Sequence, residues 1–373
     1  MNRIHIEARS DWVAQVEGLG FKFHSIGGCY WNEAACYVFT EAEIDLLDDV
    51  TAELHQMCLS AVDHVVASGQ YGRLAIPEWC HSRIEASWRS GEPSLYGRFD
   101  LCLDPTGTPR LLEYNADTPT SVYEASVIQW QWLKEQYPKH DQFNSIHEKL
   151  IERWRVVARG APTFHFSSIG SCEEDFLTTE YLRGTAEQAG VATRYLPVEQ
   201  VGWSESARCF VDMNDKPITH WFKLYPWEWL ISDEFGRMLP ESSINLVEPW
   251  WKMILSNKGI LAILWELFPN HPNLIPSYFT SSRLANGYVR KPLLSREGAN
   301  ISMVHGKIIT SSPGDYGKEG WVFQESVMLP EFDGNHAVIG SWIVGDQPAG
   351  IGIREDDTPI TRDTSRFVPH YFI

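Results

Sequence analysis

The period of the apolar positions changes along this chain, and each change marks an element. Ile44, Leu47, Val50, Leu54, Met57, Ala61 and Val65 recur at helical spacing, which predicts one long helix reaching to about Ala67. Thr40 stands before it as an N-cap, with Glu43 in the capping-box position; each side chain there satisfies a backbone N–H that the helix leaves free. Pro77 opens a second helix running to about Arg89, and Gly91-Glu92-Pro93 stops it. The entry before the aromatic segment at Tyr30, Trp31 and Tyr37 reads as helical or irregular, so residues 1–90 are expected to be mainly helical.

Two strand-like runs follow, Tyr96 to Leu103 and Arg110 to Glu113. Between them lie the turn formers Asp104-Pro-Thr-Gly-Thr-Pro109, which predict a hairpin. Ser121 to Gln136 and Phe143 to Ala158 keep helical spacing, the first with Trp130 and Trp132 in a stripe that reads as core rather than a cofactor stack. A strand at Thr163–Ile169, a loop at Gly170–Glu174, a helix at Asp175–Ala189 and a strand at Val191–Leu196 make a βαβ-like unit. The crevice at the carboxyl ends of its strands would include Ser171 to Asp175. Ile218–Leu224 reads as a strand, Pro226–Leu239 as a tryptophan-rich helix, and Trp250–Phe268 as one helix or two short ones.

Beyond Tyr278 the pattern changes to short β segments at Tyr288–Leu293, Ile301–Val304, Lys307–Thr310 and Trp321–Val327, parted by glycine-bearing turns. The tail, Ala337–Ile353, is β-rich again. The expected architecture is a mixed α/β (α+β) chain in one unit. It has a helical N-terminal part, an α/β body over 91–271, a small β module over 272–326, and C-terminal strands over 327–373 that return to the body.

Composition narrows the function. A 43% hydrophobic content with sixteen tryptophans in 373 residues is globular, not disordered. A net charge of −18 repels nucleic acid and anionic membrane and favours a cationic substrate. The N-terminus carries no apolar signal core. The longest apolar stretch, Ile260 to Phe268, is interrupted by Glu266 and is too short to span a bilayer, so a cytoplasmic protein is expected. Seven scattered cysteines without a CxxC pair point to reduced, packed thiols.

Several residue sets could carry chemistry. In a hairpin, Asp100 would lie near Glu113 and Asn115, with Arg98 on the same face as Asp100. That set is either a magnesium-phosphate site beside an anion-binding arginine or a salt-bridged surface hairpin. Lys291, followed by a loop bearing Gly298, could cover nucleotide phosphates, or be an ordinary strand and turn. Lys258 is either a second phosphate ligand or a solvated lysine, and Glu173-Glu174 either an ammonium-holding pair or an exposed acidic one. Arg354, closing the Ala349-Gly-Ile-Gly-Ile run, is an anion ligand or an edge-strand solubiliser. No HExxH, GxSxG or GxGxxG pattern is present, which removes the cheapest support for zinc-protease, serine-hydrolase and dinucleotide readings.

Taken in order, Arg98-Phe-Asp100, Glu113-Tyr-Asn115-Ala-Asp, Gly170-Ser-Cys-Glu173-Glu174, Asn257-Lys258, Lys291-Pro-Leu-Leu-Ser-Arg296 and Arg354 resemble the synthetase half of glutathionylspermidine synthase. The likeness is greatest to its stand-alone acid–amine ligase relatives, through stretches such as NADTPTS (115–121) and FKLYPWE (222–228). The resemblance implies an ATP-grasp fold with a small mobile β-rich lid, and an ATP- and magnesium-dependent ligase joining a small acid or glutathione-like peptide to an amine or polyamine through an acyl phosphate.

It also implies roles for single residues. Asp100, Glu113 and Asn115 would hold Mg2+; Lys258, Lys291, Gln324 and Glu325 would hold ATP, with the Gly298 loop closing over it. Arg98, Arg296 and Arg354 would be catalytic, binding the acid and its phosphorylated form. Thr118, Thr120 and Ser121 would face the acid, and Glu173 and Glu174 the polyamine. Ser121 stands where the synthase has a cysteine, and the synthase's amidase half has no counterpart, so no hydrolytic activity is expected. Two other readings stay open: a nucleotide-binding homologue that does not ligate, and a small-molecule kinase.

Overall fold

A computed structural model describes residues 1–373 apart from Ile26, Asn286 and Asp363. Its centre is an antiparallel sheet in the order Arg366–Val368, Gln347–Asp356, Asn335–Val344, Tyr96–Leu103, Pro109–Asn115, with Glu331–Phe332 paired outside that path on the Asn335–Val344 strand. The middle strands are buried on both faces, which is why Ala337 to Val344 reads as an almost unbroken apolar run. The hairpin therefore does not stand alone. Its first strand pairs along its length with the tail, placing Arg98 opposite Trp342 and Asp100 opposite Gly340.

The long helix, Glu41–Ser68, lies against this sheet, and Thr51 Oγ1 meets Ser341 Oγ at 2.6 Å across the contact. Both halves of the capping box form: the Glu43 N–H donates to Thr40 Oγ1, and the Thr40 N–H donates to the Glu43 carboxylate. The βαβ unit belongs to a parallel four-stranded sheet in the order Asn245–Val247, His220–Leu224, Phe164–Ser168, Thr193–Tyr195. The small β module is an antiparallel five-stranded sheet in the order Ser277–Tyr278, Trp321–Glu325, Tyr288–Pro292, Ser302–His305, Ile308–Ser311, whose last strand is exposed throughout.

Three local expectations change, and one open alternative is decided. The N-terminal entry contains a strand, Asn2–His5, which pairs with Ala35–Phe39; the latter takes the C-terminal strand His370–Phe372 on its other side. Strands fixed by a partner more than 300 residues away leave no local signal. Pro226–Leu239 is not one helix but a short one, Trp227–Leu230, and a later 3₁₀ turn, Gly236–Glu241. Gly236 is needed where the chain folds back, since a Cβ there would sit 2.5 Å from the Leu230 carbonyl oxygen. Trp250–Phe268 resolves into Lys252–Leu255 and Ile260–Leu267, and Lys258 occupies the break. The helix expected from Asp175 begins at Glu173, putting both glutamates in its first turn, where the helix dipole favours negative charge.

All seven cysteines are unpaired, and four of them are buried. Among the described residues no helix is long and apolar enough to cross a membrane.

Candidate active site

The hairpin register sets Arg98 opposite Asn115 and Asp100 opposite Glu113. Arg98 grips both oxygens of the Asp100 carboxylate, Nε donating to Oδ1 at 2.6 Å and Nη2 to Oδ2 at 3.1 Å; its Nη1 donates to the Thr120 carbonyl at 2.7 Å. Room for this pose comes from Gly340, where a Cβ would stand 2.8 Å from Arg98 Cδ. Arg354 adds a bond from Nη2 to Asp100 Oδ2 at 2.9 Å. One carboxylate thus serves two guanidiniums, and the excess positive charge suits an anion. Burial and the neighbouring Arg98 charge lower the Arg354 pKa; at Arg98 burial also acts downward, but the Asp100 carboxylate, joined by Glu113 and Tyr30, raises the pKa.

The Asn115 amide nitrogen donates to Asp100 Oδ2 and to Glu113 Oε1, both at 3.2 Å. These side chains converge closely enough to share one cation, and all can offer oxygen, the chemistry a hard divalent ion prefers when phosphate completes its shell. Among the described residues no group of three or more His, Cys, Asp or Glu could hold a metal; here the third donor is an amide. The residues present fit magnesium.

Two lysines face the same carboxylates. Lys258 Nζ lies 3.1 Å from Glu113 Oε2 and donates to the Ser295 carbonyl at 2.8 Å. Lys291 Nζ donates to the Leu112 carbonyl at 2.8 Å and to Gln324 Oε1 at 2.7 Å, while Gln324 Nε2 donates to the Leu111 carbonyl at 3.0 Å. These bonds tie the five-stranded sheet to the hairpin edge. Burial lowers the Lys291 ammonium to about 8. Burial by itself would raise the Glu113 carboxyl, but the Lys258 and Lys291 charges hold it well below the usual carboxylate range.

A cleft runs between these elements. Its lining includes Arg98, Asp100, Glu113, Asn115, Thr118, Thr120, Lys258, Lys291, Arg296, Gly298, Gln324, Glu325 and Arg354. Arg296 Nη1 donates to Thr118 Oγ1 at 2.6 Å. Gly298 has φ +69° and abuts the Thr361 carbonyl, where a Cβ would come within 2.5 Å. Sequence reasoning missed an apolar part of the lining, Leu112, Val289, Met303, Val327 and Leu329, and also missed Glu228. Val289 could have been found from strand alternation, being two residues before Lys291 and so on the same face.

Ser121, Glu173 and Glu174 are not among the residues lining that cleft. Ser121 is buried at φ +67°, with Oγ 3.1 Å from the Tyr30 hydroxyl. Glu173 is exposed and Glu174 half-buried. Burial, with the charge of Glu124 next in weight, pushes the Glu174 carboxyl up to about 8.

The family model described as glutathionylspermidine synthase preATP-grasp matches residues 3–373. A Haemophilus influenzae protein named "Putative acid–amine ligase" is 43% identical over 98% of both chains. The bifunctional glutathionylspermidine synthetase/amidase of Escherichia coli is 29% identical over 89% of this chain and 58% of its own length. The trypanothione synthetase of Crithidia fasciculata is 28% identical over 84% of this chain and 53% of its own. This chain therefore spans little more than half of those two relatives. Among solved structures, a glutathione synthetase-like effector of Globodera pallida superposes with a TM-score of 0.58 at 10% identity, covering 91% of this chain and 89% of that one, a likeness of fold.

Proposed function

The chain belongs to the glutathionylspermidine synthase preATP-grasp family and, with its relatives, is a ligase that forms carbon–nitrogen bonds; we propose that it condenses a small carboxylic acid or peptide with an amine or polyamine at the expense of ATP. The observation that carries the reading is the convergence on one cleft of Asp100, Glu113 and Asn115, two lysines, and the Arg98–Asp100–Arg354 cluster.

A carboxylate does not react with an amine at neutral pH, so it must first be converted to an acyl phosphate, which is the use of ATP here. The base would lie against Leu112, Val289, Met303, Val327 and Leu329, with Gln324 and Glu325 at its edge. Lys258 and Lys291 would meet the phosphates, exchanging the carbonyl and carboxylate partners they have in the free protein. Asp100, Glu113 and Asn115 would hold magnesium, which supplies charge neutralisation of the phosphoryl oxygens. Arg98 and Arg354, both held by Asp100, would bind the carboxylate and then the acyl phosphate. Arg296, with Thr118 and Thr120, would orient the rest of the acid. The five-stranded sheet and the Gly298 loop would act as a lid that keeps water from the acyl phosphate.

The test is ADP and phosphate release from purified protein offered acid and amine pools, with mass spectrometry of the product. Release that needs both partners and yields an amide is expected. A phosphorylated product without amide, or tight ATP binding with no release across the pools, would overturn the reading.

A further inference from the structure

The strand carrying Arg98 loses its hairpin partner before it ends. Its register with Pro109–Asn115 stops where Arg98 faces Asn115, whereas on its other edge it continues back to Tyr96, opposite Val344. Two charged side chains stand where the next hairpin pair would be. Glu248 Oε1 accepts the Leu95 and Tyr96 N–H groups, both at 3.1 Å, and its Oε2 accepts the Leu95 N–H at 3.2 Å. Lys252 Nζ donates to the Tyr96 carbonyl at 3.0 Å and lies 3.5 Å from Glu248 Oε2. Both side chains are 0% exposed. Beyond Asn115 the chain turns away, and Tyr96 and Arg98, on one face of their strand, reach across to it. Tyr96 Oη donates to the Pro119 carbonyl at 3.3 Å, and Arg98 Nη1 to that of Thr120. A continued ladder would satisfy the Tyr96 N–H and C=O without any charge. A buried ion pair is a poor stabiliser, because desolvating two ions offsets their attraction.

We infer that Glu248 and Lys252 are positioning residues for ligation. They act as a substitute strand for Leu95 and Tyr96, and so let the chain after Asn115 leave the sheet without stranding backbone groups. That departure sets the spacing between the Arg98 guanidinium and the Thr118–Thr120 wall, all of which line the cleft; Glu248 and Lys252 are not among its lining residues. The inference rests on the ligase reading for the identity of the reaction. Charge suits the task better than an apolar filling. A carboxylate accepts two neighbouring N–H groups at once, and the ammonium beside it holds the carbonyl that follows. Lys252 Nζ also lies 5.6 Å from the centroid of the Tyr114 ring, which stacks on Phe99 at 4.0 Å, so the pair bears on both strands of the hairpin. A displacement of ~1 Å between Arg98 and that wall is enough to cost ~100-fold in rate, because reaction depends on a near-attack geometry.

The test uses two variants that leave no charge unpaired. In Glu248→Asp the carboxylate is one methylene shorter and withdraws from the two N–H groups; in Glu248→Gln combined with Lys252→Met the pair is neutral. Crystal structures of both, without substrate, should show Pro119–Thr120 displaced by ~1 Å or more and the Arg98–Thr120 bond lost, with the Lys291–Gln324 contact kept. With ATP, glutathione and spermidine as the probe set, kcat should fall by ~100-fold and KM for glutathione rise by about tenfold, while KM for ATP stays within about twofold. A merely structural role would lower the active fraction and leave both KM values, and the geometry of the folded molecules, unchanged. Unchanged positions in the crystals, or a rise in the ATP KM equal to that of the acid, would overturn the inference. Glu248→Asp keeps both charges, so it remains decisive if the neutral pair does not fold. Failure of the ligase reading would show separately, as no phosphate release from the parent protein with these or any other pools. The crystal structures would still decide whether the pair sets the Arg98–Thr120 spacing.

Discussion

Arg354 and Asp100 are 254 residues apart in the chain, yet the Arg354 guanidinium donates to Asp100 Oδ2 at 2.9 Å, beside the two bonds that Asp100 accepts from Arg98. The contact exists because the strand carrying Arg354 pairs with Asn335–Val344, and that strand pairs with the one carrying Asp100. A carboxylate anchoring two arginines fixes the position of both guanidiniums.

Glu113 should be needed for turnover rather than for folding. Replacing it by glutamine keeps the shape but removes the charge opposite Lys258 and Lys291. A loss of at least ~100-fold in kcat is expected for Glu113→Gln, with the far-ultraviolet spectrum unchanged. Full activity would remove Glu113 from the phosphate and magnesium site.

Lys291 gives a pH signature. Its ammonium is lowered to about 8 by burial in the free protein, so it is charged below that pH and loses its proton above it. Affinity for ATP should therefore fall as pH rises past about 8, and Lys291→Met should bind weakly with that dependence removed. Equilibrium binding of a fluorescent nucleotide across pH measures both.

Asp117 and Lys223 form a fully buried pair, Nζ to Oδ1 at 2.7 Å, and Asp117 Oδ2 also accepts the Trp227 N–H at 2.8 Å. Removing one partner strands a charge: Asp117→Leu should cost about 3–5 kcal/mol in urea unfolding. The double variant Asp117→Leu, Lys223→Met should recover much of that loss. Equal losses in single and double variants would show that the pair is not an energetic unit.

Arg3 ties the N-terminal strand to the strand bearing Arg354. Its Nε and Nη2 donate to the two oxygens of the buried Glu355 at 2.8 and 2.9 Å, and the Tyr37 hydroxyl adds a third bond at 2.8 Å. Arg3→Ala should destabilise the protein by about 2–3 kcal/mol, less than a lone buried pair, because Arg366 still lies 3.5 Å from Glu355. Denaturant midpoints at unchanged slope would measure it.

What the sequence determined by itself was local. The Glu41–Ser68 helix with its cap, the Tyr96–Leu103 strand and its turn, and the run of short strands after Tyr278 follow from side-chain period and turn chemistry, which act over a few residues. The ordered residues Arg98, Asp100, Glu113, Asn115, Lys258, Lys291 and Arg354 were legible as a set through family resemblance, not through anything one of them shows alone.

Tertiary structure decided the rest. Lys258 meets Glu113 because a helix breaks at Asn257–Gly259, and the N-terminal strand forms because a C-terminal one lies beside its partner. Glu124 shows how far this goes: in sequence it is one more glutamate on a helix, and only the packing of Tyr30, Arg98, Arg354 and Glu174 around it sets its environment. Local pattern encodes which face of an element is apolar. Which charges that face meets, and whether water reaches them, depends on chain segments brought together only when the whole sheet closes.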